Sequence, residues 1–407
     1  MNDPIISNDS PAERLRDWVA CKPQGPWFVT IYPTNRCNLV CKMCWQRGVD
    51  KLEFSRETSD ERLLELVDEC ADMGVREWLI VGGGEPMLRS KAVMAMCERI
   101  RARGMNGVLQ CNGTVFSDAD FTRLMDIGWD RLTFSVDGPT EEINDAVRSA
   151  GSFVKATGHF RRFSAMKRER GATHPSLWLS TVVNRLNYDR LDSMANLVHD
   201  CGGDGIQGVV LIPEGPSGRE LAIGRERLDE AAEHIRRAAR HAREIGLQEM
   251  LEWTAYNISV PVGCPSRGRR AGDPGIHRVA CLEPWTSVLI LPDGEVGPCC
   301  AFWDENAPSI QNRPFREIWE GYLAGIRKGF LEDRLPPYCA RCQQWLRMRS
   351  NTLLAELDPM PAPPKWSEMG AVNFLCMLPH KTLSSIGRYG LRGAVKRGRE
   401  WLALMRK

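Results

Sequence analysis

The stretch Thr34-Asn35-Arg36-Cys37-Asn38-Leu39-Val40-Cys41-Lys42-Met43-Cys44-Trp45 sets three cysteines at a C-x3-C-x2-C spacing directly after the apolar run 27–32. Three thiolates in one loop suit a soft metal and leave a four-coordinate site one ligand short. A [4Fe-4S] cluster on Cys37, Cys41 and Cys44 would keep its fourth iron open to a small chelating molecule. Two other readings compete with it. Buried structural cysteines usually scatter through a core, whereas these are separated by polar Asn38 and Lys42. Structural zinc sites normally pair C-x2-C units and close all four positions.

Outward from this loop, short β-rich runs alternate with longer amphipathic stretches. The pattern predicts strands at 27–32, 77–81, 107–110, 131–135, 177–183 and 207–212, with helices at 61–73, 92–103, 118–127, 153–168 and 191–200. Ser59 and Ser117, each followed by acidic residues, mark helix starts. Repeated strand-helix units imply right-handed crossovers and a parallel sheet. The fold class is therefore α/β: a partial (βα)6 parallel barrel, followed by a small cysteine-rich β-hairpin/helix module. In such sheets functional loops follow the C-terminal ends of strands, where the cysteine loop sits.

With 407 residues, 43% of them hydrophobic, the chain can bury a large core. A formal charge of +2, from 54 basic and 52 acidic residues, makes no electrostatic case for nucleic acid. No signal segment or membrane-spanning apolar run is present, so the expected compartment is the cytoplasm. In a reducing compartment, clustered cysteines among the fifteen favour metal sites over disulfides. Cys21, Cys70, Cys97, Cys111, Cys201 and Cys376 stand alone and read as small buried hydrophobes. The expected divisions are an N-terminal extension (1–26), the barrel (27–215), a helical connector (216–260), an iron-sulfur module (261–350) and a linker with a basic tail (351–407). For the tail, a solvated terminal helix is favoured over contact with a membrane surface.

Two further motifs follow predicted strands: Gly82-Gly83-Gly84-Glu85-Pro86 after the second and Ser135-Val136-Asp137-Gly138 after the fourth. With the cysteine loop, in this order, they resemble the radical S-adenosylmethionine (SAM) superfamily. The resemblance implies that the amino and carboxylate groups of SAM chelate the unique iron. Gly83 and Gly84 would let backbone carbonyls approach the ligand's ammonium group, and Glu85 would stabilise that cation or the loop. Ser135 and Asp137 suit ribose hydroxyls, and Arg148 suits the SAM carboxylate. Asn112, Gly113, Thr181 and Asn184 are placed at the same mouth, with a turn role as the equal alternative.

Cys281, Cys299, Cys339 and Cys342 form a second metal signal. The turn Pro292-Asp293-Gly294-Glu295 predicts a hairpin that brings Cys281 and Cys299 together, and the C-x2-C pair closes a four-thiolate site. This arrangement resembles the SPASM or twitch module, which binds auxiliary [4Fe-4S] clusters. The further cysteines of a full SPASM module are missing from 343–352, which points to one auxiliary cluster. Cys264 and Cys300 are left over: Cys264 could replace Cys281, and Cys300 points away from Cys299 if the strand continues. A four-cysteine zinc ribbon is the competing reading.

The implied chemistry is reductive cleavage of SAM to a 5'-deoxyadenosyl radical, fed by an electron donor such as flavodoxin or ferredoxin, then hydrogen abstraction from substrate. A complete auxiliary site favours oxidation of the substrate radical over epimerisation. Only about 26 residues precede the first predicted strand, too few for a leader-binding domain, which tilts the expectation toward a small molecule such as a sugar or aminocyclitol. Peptide or protein modification, including thioether formation or sulfatase maturation, is the runner-up, and an iron-sulfur or zinc scaffold the non-enzymatic alternative. Glu214 and Arg148 are the candidate general bases.

Overall fold

The apolar run ahead of the cysteine loop becomes the middle of a long sheet. A computed structural model describes residues 10–48, 54–213, 215–259, 281–300, 302, 304–332 and 334–340. Among them, β1 (Phe28–Ile31), β2 (Glu77–Ile80), β3 (Asn106–Cys111), β4 (Arg131–Ser135), β5 (Ser176–Val183) and β6 (Gly205–Val210) match the six predicted strands to within a few residues. Of three further short strands, β7 (Gln248–Glu249) was not predicted and extends one edge, while β8 (Ser287–Ile290) and β9 (Val296–Gly297) form the predicted hairpin and extend the other. The order is β7-β6-β5-β4-β3-β2-β1-β8-β9, parallel throughout except for the antiparallel β8–β9 hairpin. This is the expected partial (βα)6 barrel, with the hairpin of the second module joined to the free side of β1.

The crossover helices cover one face. They are α2 (Asp60–Asp72), α3 (Ser90–Ala102), α4 (Asp118–Asp126), α6 (Ser152–Arg170), α7 (Leu191–Asp200) and α9 (Leu228–Glu244), preceded by α1 (Pro11–Val19). The shorter α5 (Glu141–Val147), α8 (Gly215–Leu221) and α10 (Leu251–Ser259) fill in between them. Ser59 accepts from the Arg62 backbone, and Ser117 makes a reciprocal capping box with Asp120, as their positions predicted. Val29, Ile31, Trp78, Ile80, Leu109, Leu132 and Phe134 alternate onto the helix side and form the centre of the core.

The second module begins with α11 (Glu283–Thr286), then the hairpin, in which Gly294 takes φ +79, as the tight turn requires. Gly321 breaks the helical stretch that follows into α12 (Phe315–Glu320) and α13 (Tyr322–Leu331). The strand stops at Gly297, so alternation does not place Cys300 opposite Cys299 as expected. Cys70, Cys97, Cys111 and Cys201 are buried as predicted, whereas Cys21 is exposed, with φ +57. Residues 1–357 form one compact unit. A second, 358–407, lies outside the described residues together with the linker and basic tail. No described helix is long and apolar enough to cross a membrane.

Arg327 ties the ends of this unit together. Its buried guanidinium lies 5.0 Å over the Trp18 ring and 4.4 Å over Trp319, and donates to the carbonyls of Pro284 (3.2 Å) and Trp319 (2.7 Å). Burial pulls its pKa down to about 10. Arg327→Ala removes both stacks and both bonds and should cost about 3 kcal/mol, with Arg327→Lys restoring little because an ammonium cannot stack as a plane. Thermal unfolding followed by circular dichroism checks this; an unchanged Tm in Arg327→Ala would contradict it.

Candidate active site

The cysteine loop has little regular structure of its own beyond the 3-10 turn Trp45–Gly48, and its shape is set by neighbours. The glycine-rich turn after β2 holds its first half: the Gly84 amide donates to the Thr34 carbonyl and the Glu85 amide to the Arg36 carbonyl, each at 2.8 Å. A Cβ on Gly84 would stand 2.0 Å from the Arg36 oxygen, and one on Gly83 would stand 2.6 Å from Asn35 Oδ1. Neither glycine has positive φ, so close approach between the two loops is what requires them. The sequence had suggested access for a ligand's ammonium group; the approach seen here is to protein, the Arg36 backbone at Gly84 and the Asn35 side chain at Gly83.

Glu85 is buried, and both its oxygens are occupied. Oε1 accepts from the Met87 amide (2.9 Å) and Oε2 from the Asn112 amide (2.7 Å), fastening the turn after β2 to the end of β3. Burial pushes its pKa up to about 7, against the opposing pull of those amides and of Arg148. Of the two roles expected for Glu85, the geometry fits support of the loop.

Three more anchors fix the remainder. Glu57, which the sequence did not single out, accepts from Thr34 Oγ1 (2.7 Å) and the Asn35 amide (2.9 Å). Asn38 accepts from Asn112 Nδ2 and donates to Thr114 Oγ1, both at 2.8 Å. The Val40 amide donates to Ser149 Oγ and the Lys42 amide to the Val147 carbonyl, again at 2.8 Å. The loop is thus held by the ends of β2 and β3 and by the turn between α5 and α6.

Asp137 and Arg148 form a pair beside the thiols. Asp137 is fully buried; Oδ1 accepts from the Val182 amide (2.7 Å), and Oδ2 stands 2.7 Å from Arg148 Nε. This engages both oxygens, so Asp137 positions Arg148 in place of the ribose contact suggested by its motif. Arg148 caps α5 with its side chain 10% exposed, and among the described residues its two terminal nitrogens have no hydrogen-bond partner. Burial works against its charge, but Asp137 and then Cys41 outweigh that and hold its pKa above the usual value. Ser135 stands at the end of β4, partly exposed. Thr181 is buried within β5 and accepts from Asn187 Nδ2 at 3.3 Å, while Asn184 is buried with Asn187 in the turn after β5, the turn role left open above.

Burial pushes the Cys37 and Cys41 thiols up, while the Arg148 charge pulls them down. A cationic guanidinium beside thiols that must ionise fits an anionic iron-sulfur cluster. Among the described residues, no three His, Cys, Asp or Glu side chains converge as ligands of a single metal ion. A groove of about 840 Å3 between α1 and α12–α13 is lined by Trp18, Trp285, Trp319 and their neighbours and touches none of these residues.

Residues 31–198 match the radical SAM superfamily, and residues 281–343 match the SPASM iron-sulfur cluster-binding domain. The chain is a radical SAM enzyme with a C-terminal SPASM module. It is 29% identical over 354 residues to the mycofactocin maturase of Mycolicibacterium smegmatis, covering 86% of this chain and 84% of that protein. It is 24% identical over 328 residues to the AdoMet-dependent heme synthase of Methanosarcina barkeri, covering 78% and 89%. Streptococcus suis SuiB bound to its precursor peptide SuiA has the same fold, with a TM-score of 0.60, 15% identity and coverage of 80% and 74%. The cofactors are accordingly SAM, a SAM-binding [4Fe-4S] cluster and an auxiliary [4Fe-4S] cluster.

In the SPASM module, Cys281 and Cys339 border one apolar cluster built on Leu15, Leu282, Trp285 and Phe330. Cys299 follows the hairpin, where Ser287 Oγ donates to the Pro298 carbonyl at 3.0 Å. Cys342, Cys264 and Cys376 lie outside the described residues, as does Glu214. Tyr32, also missed in the sequence, directly follows β1 next to Gly83, and burial followed by the charges of Cys300 and Cys299 holds its phenol well above the usual range. Gly84→Ala should push the two loops apart at a cost of about 1–3 kcal/mol and lower iron incorporation at the first site. Iron per chain after anaerobic reconstitution reads this, and full iron content in the variant would contradict the packing argument.

Proposed function

We propose that this radical SAM enzyme oxidises a residue of a peptide substrate. The observation that carries the reading is the similarity to mycofactocin maturase over 86% of this chain and 84% of that protein. SuiB, of the same fold, binds a precursor peptide. The sugar or aminocyclitol expected from the sequence is set aside, because the relatives named above, which cover most of the chain, are not named for such a substrate. The heme synthase similarity favours a second reading, a tetrapyrrole substrate.

When bound at Cys37, Cys41 and Cys44, the cluster with SAM supplies a reducing electron and a 5'-deoxyadenosyl radical. The protein's part is to position and to shield. The anchored loop keeps the three thiols from drifting, and Arg148, aimed by Asp137, offers its terminal nitrogens to the SAM carboxylate. Ser135 at the strand end is a hydrogen-bonding partner for the ribose. Cys281, Cys299, Cys339 and Cys342 are the proposed ligands of the auxiliary cluster. A set of four protein thiolates leaves no iron open to substrate, which favours electron acceptance, and hence dehydrogenation, over epimerisation.

Anaerobic reconstitution should yield about eight irons per chain, and about four would remove the auxiliary cluster. With SAM, a reductant and a peptide pool, 5'-deoxyadenosine should form faster than without peptide, and a product lighter by two hydrogens should appear by mass spectrometry. Stimulation by iron-coproporphyrin but not by peptide would replace this reading with the tetrapyrrole one.

A further inference from the structure

The concave face of the barrel carries a layer of uncharged polar side chains that the SAM motifs do not use. Strand register sets Ser135, Ser180 and Gln207 in one row across β4, β5 and β6. The row beneath runs Gln110, Thr133, Trp178, Gly205 across β3 to β6. Although β4 and β5 separate β3 from β6, Gln207 Nε2 donates to Gln110 Oε1 at 3.4 Å and to Ser180 Oγ at 3.1 Å. Side chains two strands apart can meet only on the inside of a curved sheet, so these residues line the barrel interior.

The lower end of this interior is closed. The Trp178 indole lies over Gly205, where a Cβ would come within 2.5 Å of the ring, and Arg131 stacks on Trp178 at 4.9 Å. Above this floor, Thr133 is fully buried and its Oγ1 has no hydrogen-bond partner. Among the described residues Gln110 Nε2 and Gln207 Oε1 also have none, and their mutual bond is long. The two half-used amides are only partly buried, so a ligand inside the barrel can reach them, whereas the Thr133 hydroxyl is shut off from solvent.

We propose that this layer recognises the substrate through an uncharged group that both donates and accepts hydrogen bonds, namely the side-chain carboxamide of an Asn or Gln in a peptide. The inference rests on the peptide reading above and narrows it. Gln207 Oε1 accepts from the carboxamide nitrogen, while Gln110 Nε2 donates to its oxygen. Every one of these groups is neutral, so a carboxylate such as a tetrapyrrole propionate finds no countercharge in the layer. Ser135 lies in the same row as Gln207, which sets the recognised group next to the strand end that faces SAM.

The test is selection from a library of random short peptides, each displayed on its own mRNA, under anaerobic conditions. It is run against the reconstituted full chain with SAM bound, as wild type, Gln207→Leu and Gln207→Glu. Wild type should enrich peptides with Asn or Gln at one fixed position. Gln207→Leu should bind them about tenfold more weakly, the loss of one buried hydrogen bond. Gln207→Glu should shift the enriched residue to Lys, a change of preference that misfolding cannot produce. Enrichment without a fixed carboxamide, or variants with wild-type affinity and preference, overturns the inference and leaves the peptide reading standing. No enrichment by wild type removes both.

Discussion

Backbone contact between two loops is the constraint on which the rest depends. The turn at Gly82 to Glu85 is pressed so closely against Thr34 to Arg36 that no side chain fits at Gly84, and Glu85 then carries the connection on to Asn112. One turn therefore joins the C-terminal ends of β1, β2 and β3. The cysteine loop, which has few hydrogen bonds within itself, inherits the rigidity of three strands. A site that must hold three thiols and a fourth, ligand-facing position within fractions of an ångström needs such support from outside its own loop.

The same strand links the two metal-binding regions. β1 leads directly into Cys37, and on its other side β8 pairs with it in parallel, Phe28 with Ser287 through Ile31 with Ile290. Tyr32 prolongs the ladder, its amide donating to the Ile290 carbonyl at 2.9 Å, and its ring lies by Gly83 on one side and within the electrostatic reach of Cys299 and Cys300 on the other. The SPASM hairpin is thus built as an extension of the barrel sheet. That continuity joins the SPASM hairpin directly to the strand that carries the cysteine loop.

Much of this was legible in the residues. Period-two apolar runs located six strands, and cysteine spacing with the motifs after strands two and four identified the family. What the sequence could not convey was which groups face one another. Glycine 84 reads as room for a ligand until Arg36 is seen against it, and Asp137 reads as a hydroxyl binder until the Val182 amide and Arg148 are found on its two oxygens. Glu57, Gln110 and Gln207 lie in no motif, and their roles arise only from contacts across 22 to 97 residues of chain. Gly321 breaking a helix and the strand ending at Gly297 are local backbone choices that side-chain pattern alone does not reveal.

Cys37, Cys41 and Cys44 are proposed to hold the cluster that meets SAM, separately from the auxiliary site. Electron paramagnetic resonance of the reduced, reconstituted protein with and without SAM tests it most directly. One signal should change when SAM is added, and that signal alone should be missing from Cys41→Ala, while a second, SAM-insensitive signal persists. A spectrum that SAM does not alter, or a SAM-responsive signal that survives in Cys41→Ala, would contradict the account.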